Sequence, residues 1–411
     1  MTNRTETIHR AEAGARRIAW ARRGMPVLRS IEQRLVASGT VRGRRIGVAL
    51  VLEPKTASLV LMLRDAGAHV SVYCAGNSTD DATADALRAQ GIEVFAHSSA
   101  GDEEDLDHAR AFLHTDPEII IDDGASVIRL AHREFPALVS RMIGAAEETT
   151  SGVRPLRVME EAGELRIPVI AVNDSPVKHL FDNVYGTGQS CVMAFLDVTN
   201  LQLAGREVLV IGYGWVGKGV AKHAAALGAR VVVAELDPIK ALQAVHDGFS
   251  ARSVALAVPT AEVVFASTGI AGVVTEAHVR AMRDGAFLCT AGGGSFELPM
   301  DYLRTLGTAK DVRADVVEYV LPGGARIRVV ADGDCVNCSG AEGNPIEVMD
   351  LSLSLQAIAV EQLVVDGSRR APGLYDIPPG AERAVAEIRL LHEGGVVEPM
   401  TEELELAMRS W

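Results

Sequence analysis

The chain has 411 residues, enough for about two or three domains with a substantial core, and its 54 acidic against 40 basic residues leave a formal net charge of −14. That balance argues against nucleic acid or an anionic membrane as partner, and no apolar run reaches the roughly 20 residues needed to span a bilayer. The polar N-terminus suggests no signal peptide, and five cysteines spread over the chain suit reduced thiols in a cytoplasmic protein.

Residues 8–38 carry Ile18, Met25, Leu28, Ile31 and Leu35 at helical spacing, which predicts helices ahead of the first strand. From Arg44 the pattern alternates between strands and helices: RRIGVAL, TASLVLMLRDAGA, HVSVYCA, DATADALRAQG, IEVFA. Such alternation predicts a parallel sheet covered by helices. A helix over 103–113 then precedes PEIIIDDG, a strand closing in Asp122 and Asp123. Ligand groups in these sheets gather beyond the carboxyl ends of strands, so Asp123 is a candidate, as are Asn173 and Asp174 after IPVIAV. Between them AAEETTSGV, residues 145–153, admits two readings. It is a solvated loop, or a grip on sugar hydroxyls in which Glu148 accepts and Thr149 and Thr150 donate.

The next helix puts Lys178 and Asp182 four residues apart on one face, as a surface ion pair or as a functional one. Lysine is scarce here: Lys55, Lys178, Lys218, Lys222, Lys240 and Lys310 are the only six. A lysine kept where arginine is the default suits a group that must lose its proton, which a guanidinium cannot do.

EVLVI, a short β-branched strand, delivers Gly212, Gly214 and Gly217 in G-x-G-x-x-G spacing around Trp215 and Val216, onto the helical pattern KGVAKHAAALG. Glycines there allow a tight turn and let backbone N–H groups approach a pyrophosphate. RVVVAE follows and ends in Glu235, placed to accept from a ribose diol, so the motif predicts NAD and disfavours NADP. FASTGI, with Thr268, and CTAGGGSFE are glycine-bearing turns after strands and further candidate cofactor contacts. Cys335 and Cys338 form C-x-x-C, half of a zinc site or a redox pair, but no second pair accompanies them. Buried packing is the favoured reading, with no metal. A long apolar helix then crosses back towards the first sheet, and TEELELAMRSW closes the chain as a short amphipathic helix.

EETTSGV at 147–153, NDSPVKHLFDNVYG at 173–186, GYGWVGKG at 212–219, AELDPIKALQA at 234–244 and GNPIEVMDLS at 343–352 together resemble the S-adenosylhomocysteine hydrolases, over residues 11–410. The resemblance implies an α/β fold of two Rossmann-like doubly wound domains. These are a discontinuous substrate domain at 1–188 and 336–375, an NAD domain at 189–335, and a C-terminal helical extension at 376–411. It also implies a homo-oligomer, dimer or tetramer, acting on a small nucleoside-type substrate. In that family NAD oxidises the ribose 3′-hydroxyl, which acidifies C4′–H so that the 5′ thiol can leave; water adds, and the stored hydride returns. Carried to matching positions, Lys178 and Asp182 stand at the 3′-hydroxyl, Glu148 and Thr150 hold the ribose, and Asp123 serves C4′ and C5′. Asn173, Asn183 and Asn337 complete the sugar and nicotinamide contacts, and Glu235 holds the NAD ribose.

The departures cluster. The family's L-H-M-T-V-E-T is LVLEPKT here, so a proton-transferring histidine becomes Val51, and the adenine-reading Thr and Glu become Glu53 and Lys55. Those two either read another heterocycle edge or pair on the surface. The G-H-F-D turn has Gly293 for its histidine, the G-H-P turn has Asn344, a cysteine becomes Thr187, and the family's C-terminal tail is missing after Trp411. Proton transfer by an imidazole contributes roughly 10² to 10⁴ in rate, so ordinary S-adenosylhomocysteine is expected to be a poor substrate. Three functions stay open. One is C3′ oxidation of an altered nucleoside or thioether, ending in C–S or C–O cleavage or epimerisation. The others are a divergent S-adenosylhomocysteine hydrolase and a non-catalytic NAD-binding regulator, against which the retained Lys178, Asp182 and Glu148 argue.

Overall fold

The computed structural model describes residues 2–411. Helices Thr2–Arg23 and Pro26–Ser38 lead into β1 (Arg45–Ala49), β2 (His69–Tyr73), β3 (Glu93–Phe95), β4 (Ile119–Asp122), β5 (Gly144–Glu147) and β6 (Pro168–Ala171). These six strands, with a late strand from near the C-terminus (Gly373–Tyr375), form one all-parallel sheet. The second sheet holds β7 (Glu207–Ile211), β8 (Arg230–Ala234), β9 (Ser250–Ala251), β10 (Val263–Ala266), β11 (Ala286–Thr290), β12 (Lys310–Arg313), β13 (Val316–Val320) and β14 (Arg326–Val330). With the late strand as β15, the spatial orders are β15-β6-β5-β4-β1-β2-β3 and β12-β13-β14-β11-β10-β7-β8-β9.

Near-continuous aliphatic strands make sense because both faces are covered. In β4, Ile119 and Ile121 join one core cluster and Ile120 the other; in β7, Val208 and Val210 face away from Leu209 and Ile211. Register then sets the chemistry. Ala49 pairs with Asp122, Asp122 with Glu147, and Glu147 with Ala171, so the residues that follow leave the sheet along one edge. Ile211 likewise pairs with both Ala234 and Ala266, bringing Gly212, Glu235 and Ser267 out together.

Three features differ from the sequence reading. β12, β13 and β14 form an antiparallel meander on the edge of the second sheet, and β12 and β13 were not anticipated. The helix expected from Thr56 begins at Pro54, because the Glu53 side chain caps it by accepting from Lys55 N–H at 2.9 Å and Thr56 N–H at 3.0 Å. Lys178 ends a single turn, Pro176–Lys178, and the chain continues in π-helical form over His179–Thr187.

The long helix Ile346–Asp366 does return to the first sheet, burying Leu353, Leu355, Ala357 and Val360 in its core. Its Asp350 accepts from Val27 N–H at 3.1 Å and Leu28 N–H at 2.9 Å, which satisfies orphan donors at the start of helix Pro26–Ser38. Contrary to the expectation that no run would suffice, among the described residues this one helix is long and apolar enough to cross a bilayer, but two-thirds of its most apolar window is buried in protein.

Candidate active site

The strand ends of both sheets line one cavity of about 610 Å³. Lys178 sits in it, almost wholly buried, with Nζ 3.5 Å from Asp182 Oδ1 and 3.7 Å from Glu148 Oε1, and donates to Asn183 Oδ1 at 3.2 Å. The surface ion-pair reading is thereby excluded. Burial alone would push the ammonium down, but the carboxylates of Asp182, Glu148 and Asp123 outweigh it and the net direction is up. Burial by itself therefore does not give a neutral lysine in the resting site.

Burial pushes the acids up as well. Asp123 is raised by desolvation against the pull of Lys178, and Glu148 rises to about 7 for the same reason. Beneath them Asp122 is pushed to about 7 and Glu147 well above its usual range, although backbone N–H groups of Asp123, Gly124, Ala125, Ile128 and Thr149 donate to these two carboxyls.

Glu148 is aimed by two residues the sequence reading missed: Ser352 Oγ and Gln356 Nε2 both donate to it. Their signal was two polar side chains at i,i+4 on the same stretch of a largely apolar helix that also carries Asp350 and Ser354. Thr149 and Thr150 behave differently from expectation. Thr149 lines the cavity but donates to Glu147 Oε1 at 2.8 Å, and Thr150 donates to Asn173 Oδ1 at 2.9 Å. Neither Thr150 nor Asn173 lines the cavity, so their hydroxyl and carbonyl hold one another.

Glu53 and Lys55 are buried at the cavity wall, which excludes a surface pair. Lys55 Nζ lies 2.6 Å from Glu53 Oε2 and donates to Glu342 O at 2.7 Å. Glu342 is in turn bridged by Arg17, at 2.7 Å, to the first helix. Asn344 lines the cavity within a closed network, donating to Asp182 Oδ1 at 3.0 Å and Thr187 Oγ1 at 3.1 Å and accepting from Asn337 Nδ2 at 3.0 Å. Cys335 and Cys338 are half-buried and line the cavity, so the buried-packing reading is corrected.

No histidine is among the lining residues, and Val51, Gly293 and Asn344 all are. A Cβ at Gly293 would fall 1.8 Å from Glu297 Oε1, so a side chain there requires the Glu297 carboxyl to move.

Residues 183–343 match the NAD-binding domain model of S-adenosyl-L-homocysteine hydrolase, and residues 3–135 match the model of that hydrolase itself. A curated S-inosyl-L-homocysteine hydrolase from Methanopyrus kandleri is 42% identical, the match covering 98% of this chain and 95% of that one. An adenosylhomocysteinase from Archaeoglobus fulgidus is 41% identical over 97% and 98%, and one from Aquifex aeolicus 39% over 98% and 97%. The chain belongs to the S-adenosyl-L-homocysteine hydrolase family.

Its cofactor is NAD, and the residues present fit it. Gly212 has φ +94, and a Cβ on Gly217 would meet Gly212 O at 2.0 Å, so the turn closes only with glycines. At Gly214 an added Cβ meets nothing within 4 Å, leaving backbone open to a phosphate ahead of helix Trp215–Ala226. The Glu235 carboxylate is fixed at the end of β8 by Tyr213 N–H at 2.7 Å, Leu236 N–H at 2.7 Å and Asp237 N–H at 3.0 Å. Val216 lines the cavity, whereas the Trp215 ring turns outward and stacks on His179 at 4.5 Å. Thr268 gives both its N–H and its hydroxyl to Glu297 Oε2, at 2.9 and 2.7 Å, so its side chain faces away from the cavity.

The buried acids of this family member carry a pH signature. Glu148 rises from its ordinary 4.5 to about 7 on folding, so the stability it contributes is full below 4.5 and is lost as pH rises through about 7. Glu148→Gln removes that titration. Urea unfolding of the apoprotein between pH 5 and about 7 should then show a shallower decline in the variant, the difference reaching at most about 1.4 kcal/mol per pH unit for one proton. Parallel slopes would refute the assignment.

Proposed function

We propose that this chain hydrolyses a nucleoside thioether whose base presents a 6-oxo group and an N1–H, through transient oxidation of the ribose 3′-hydroxyl. One observation carries the base assignment: the buried pair of Glu53 and Lys55 at the cavity wall. An adenine edge offers a donor at N6 and an acceptor at N1, whereas a 6-oxopurine offers an acceptor at O6 and a donor at N1. Lysine can only donate and an ionised glutamate can only accept. Because Lys55 stands where the family has its adenine-reading Glu and Glu53 where it has Thr, donor and acceptor are exchanged, and the pair then complements the 6-oxo edge and leaves an adenine amino group facing an ammonium. The similarity to a relative named for S-inosyl-L-homocysteine supports the same direction.

Bound NAD supplies a reversible two-electron acceptor for the sugar carbon. Around it, Lys178 and Asp182 hold the 3′-hydroxyl, and Glu148, fixed by Ser352 and Gln356, accepts from the ribose. Lys178 becomes a base only when the site gains positive charge, because three carboxylates otherwise hold its proton. Asp123, raised by burial, carries the proton at C4′ and C5′ that no imidazole is present to carry. Asn183 and Asn337 steady the sugar and cofactor, and Glu235 takes the cofactor's ribose diol. Residues 1–188 with 336–375 then form the substrate domain and 189–335 the NAD domain. The exposed Leu404, Leu406 and Met408 of the C-terminal helix suit contact within a homo-oligomer, and five free thiols suit a reducing cytoplasm.

The test is release of free thiol from S-inosylhomocysteine and from S-adenosylhomocysteine, with cofactor reduction followed by NADH absorbance. A preference of at least about 10²-fold in kcat/KM for the inosyl compound is expected. Equal or faster turnover of the adenosyl compound would make the chain an ordinary adenosylhomocysteinase. Absence of both thiol release and cofactor reduction would leave a non-catalytic NAD-binding paralogue.

A further inference from the structure

Two thiols that this chemistry does not use bracket Asn337. Cys335 precedes and Cys338 lies within the single helical turn Val336–Ser339, where Cys338 N–H donates to Cys335 O at 3.0 Å. A hydrogen-bonded turn of that kind keeps residues i and i+3 within about 7 Å, which meets the 4.4 to 6.8 Å or so that a disulfide requires between Cα atoms. Cys191 and Cys289 are sealed in the core and Cys74, though buried, borders the cavity, whereas the half-buried Cys335 and Cys338 open onto it together.

Their surroundings divide the two roles of a redox pair. Cys335 Sγ accepts from Gly292 N–H at 3.0 Å and lies 2.8 Å from Asn337 Oδ1, and Cys338 Sγ lies 3.7 Å from the same oxygen. Hydrogen bonds from the Cys191 and Cys338 thiols hold Cys335 well below the usual thiol range, whereas Cys338 is pushed well above it. Cys335 is thus the attacking thiolate and Cys338 the protonated resolving thiol. From Asn337 the contacts run on through Asn344 to Asp182 and Lys178, with steps of 3.0, 3.0 and 3.5 Å.

We propose that Cys335 and Cys338 are a thiol–disulfide pair built into the active site, closed by a low-molecular-weight disulfide, and that closure loosens the cofactor by removing the thiol contacts of Asn337. The second half rests on the reading of Asn337 as a cofactor contact; the first does not. The Cys335 thiolate attacks one sulfur of the external disulfide and expels one thiolate. Cys338 then attacks the Cys335 sulfur of the mixed disulfide, expels the second thiolate, and gives up its proton. Two protein thiols are oxidised and one external disulfide is reduced to two thiols. Once closed, Cys338 has no hydrogen to donate to Asn337 Oδ1 and the Cys335 sulfur is drawn into the S–S bond, so the amide keeps only its contacts to Ser190 and Asn344.

The experiment treats the NAD-loaded protein with oxidised glutathione, quenches with an alkylating agent and maps the peptides. The expected result is a Cys335–Cys338 link, a chain lighter by about 2 Da, and NAD release at least about tenfold faster, all reversed by dithiothreitol. Cys338→Ser should trap a glutathione adduct on Cys335, each variant being compared with its own reduced form. Full alkylation of Cys335 and Cys338 after oxidation, or a link from Cys335 to Cys191, would overturn the pairing. A Cys335–Cys338 link with unchanged NAD release would overturn the coupling to Asn337. Thiol mapping needs no turnover, so failure of the base assignment would leave this result legible.

Discussion

Lys178→Met is expected to lower kcat by at least about 10³-fold, near the upper part of the range for loss of one acid–base group, while NAD remains bound in stoichiometric amount. Methionine keeps the apolar stem in its buried channel and removes only the ammonium, which lies 3.5 and 3.7 Å from two carboxylates. Stripping one partner from a buried ion pair ordinarily costs about 3 to 5 kcal/mol. Here the cost is reduced, because Glu148 already sits near 7 and takes up a proton when its counter-ion is gone. The variant should therefore fold, and its thermal midpoint should depend on pH more steeply than that of the parent. Lys178→Arg separates the two jobs of the residue. A guanidinium preserves the charge balance but does not deprotonate, so this variant should recover stability and not activity. Addition of substrate to either should give no NADH absorbance. An arginine variant working within about tenfold of the parent would show that Lys178 compensates charge without moving a proton.

The parts of this molecule that were legible in the sequence are those set by local rules. Alternating aliphatic runs and helical patterns are enough to place the central parallel strands, because each of these is covered on both faces and must be apolar throughout. The glycine turn after EVLVI is equally local: Gly217 has no room for a Cβ beside Gly212 O. What was not legible depends on partners distant in the chain. Thr150 looks like a sugar donor until Asn173, which lies 23 residues away, takes its hydroxyl. Glu148 is oriented by Ser352 and Gln356, more than 200 residues later. The π-helical segment His179–Thr187 is a further case, since an i,i+4 spacing presumes a regular α-helix. Lysine scarcity drew attention to Lys178 but could not give its resting charge, because the three carboxylates that raise it converge from the ends of β4 and β5 and from its own segment. Cys335 and Cys338 were read as core for the same reason: nothing local says that a cavity lies beside them.

Exchange of Glu53 and Lys55, proposed to read the base, has the other large expected effect. Glu53→Thr combined with Lys55→Glu should shift the kcat/KM ratio of the inosyl to the adenosyl thioether by at least about 10³-fold towards the adenosyl compound, equivalent to about 4 kcal/mol. The two changes must be made together. Glu53 has a structural duty, accepting from Lys55 N–H and Thr56 N–H at the start of helix Pro54–Asp65, and threonine retains it at small cost. Lys55→Glu alone would place a second carboxylate where Nζ now lies 2.6 Å from Glu53 Oε2, against the Glu342 carbonyl as well. That single variant should fold poorly, and Lys55→Met is the informative partial change. It removes the donor to O6 without adding an acceptor for an amino group, so turnover of the inosyl compound should fall and that of the adenosyl compound should not rise to match it. The reason the effect should be large is that both groups are buried. A polar site that loses its complementary ligand group has no water to replace it, and rejection then reaches several orders of magnitude. A double variant that keeps the parent's preference would show that Glu53 and Lys55 serve the fold and that the base is read elsewhere on the cavity wall.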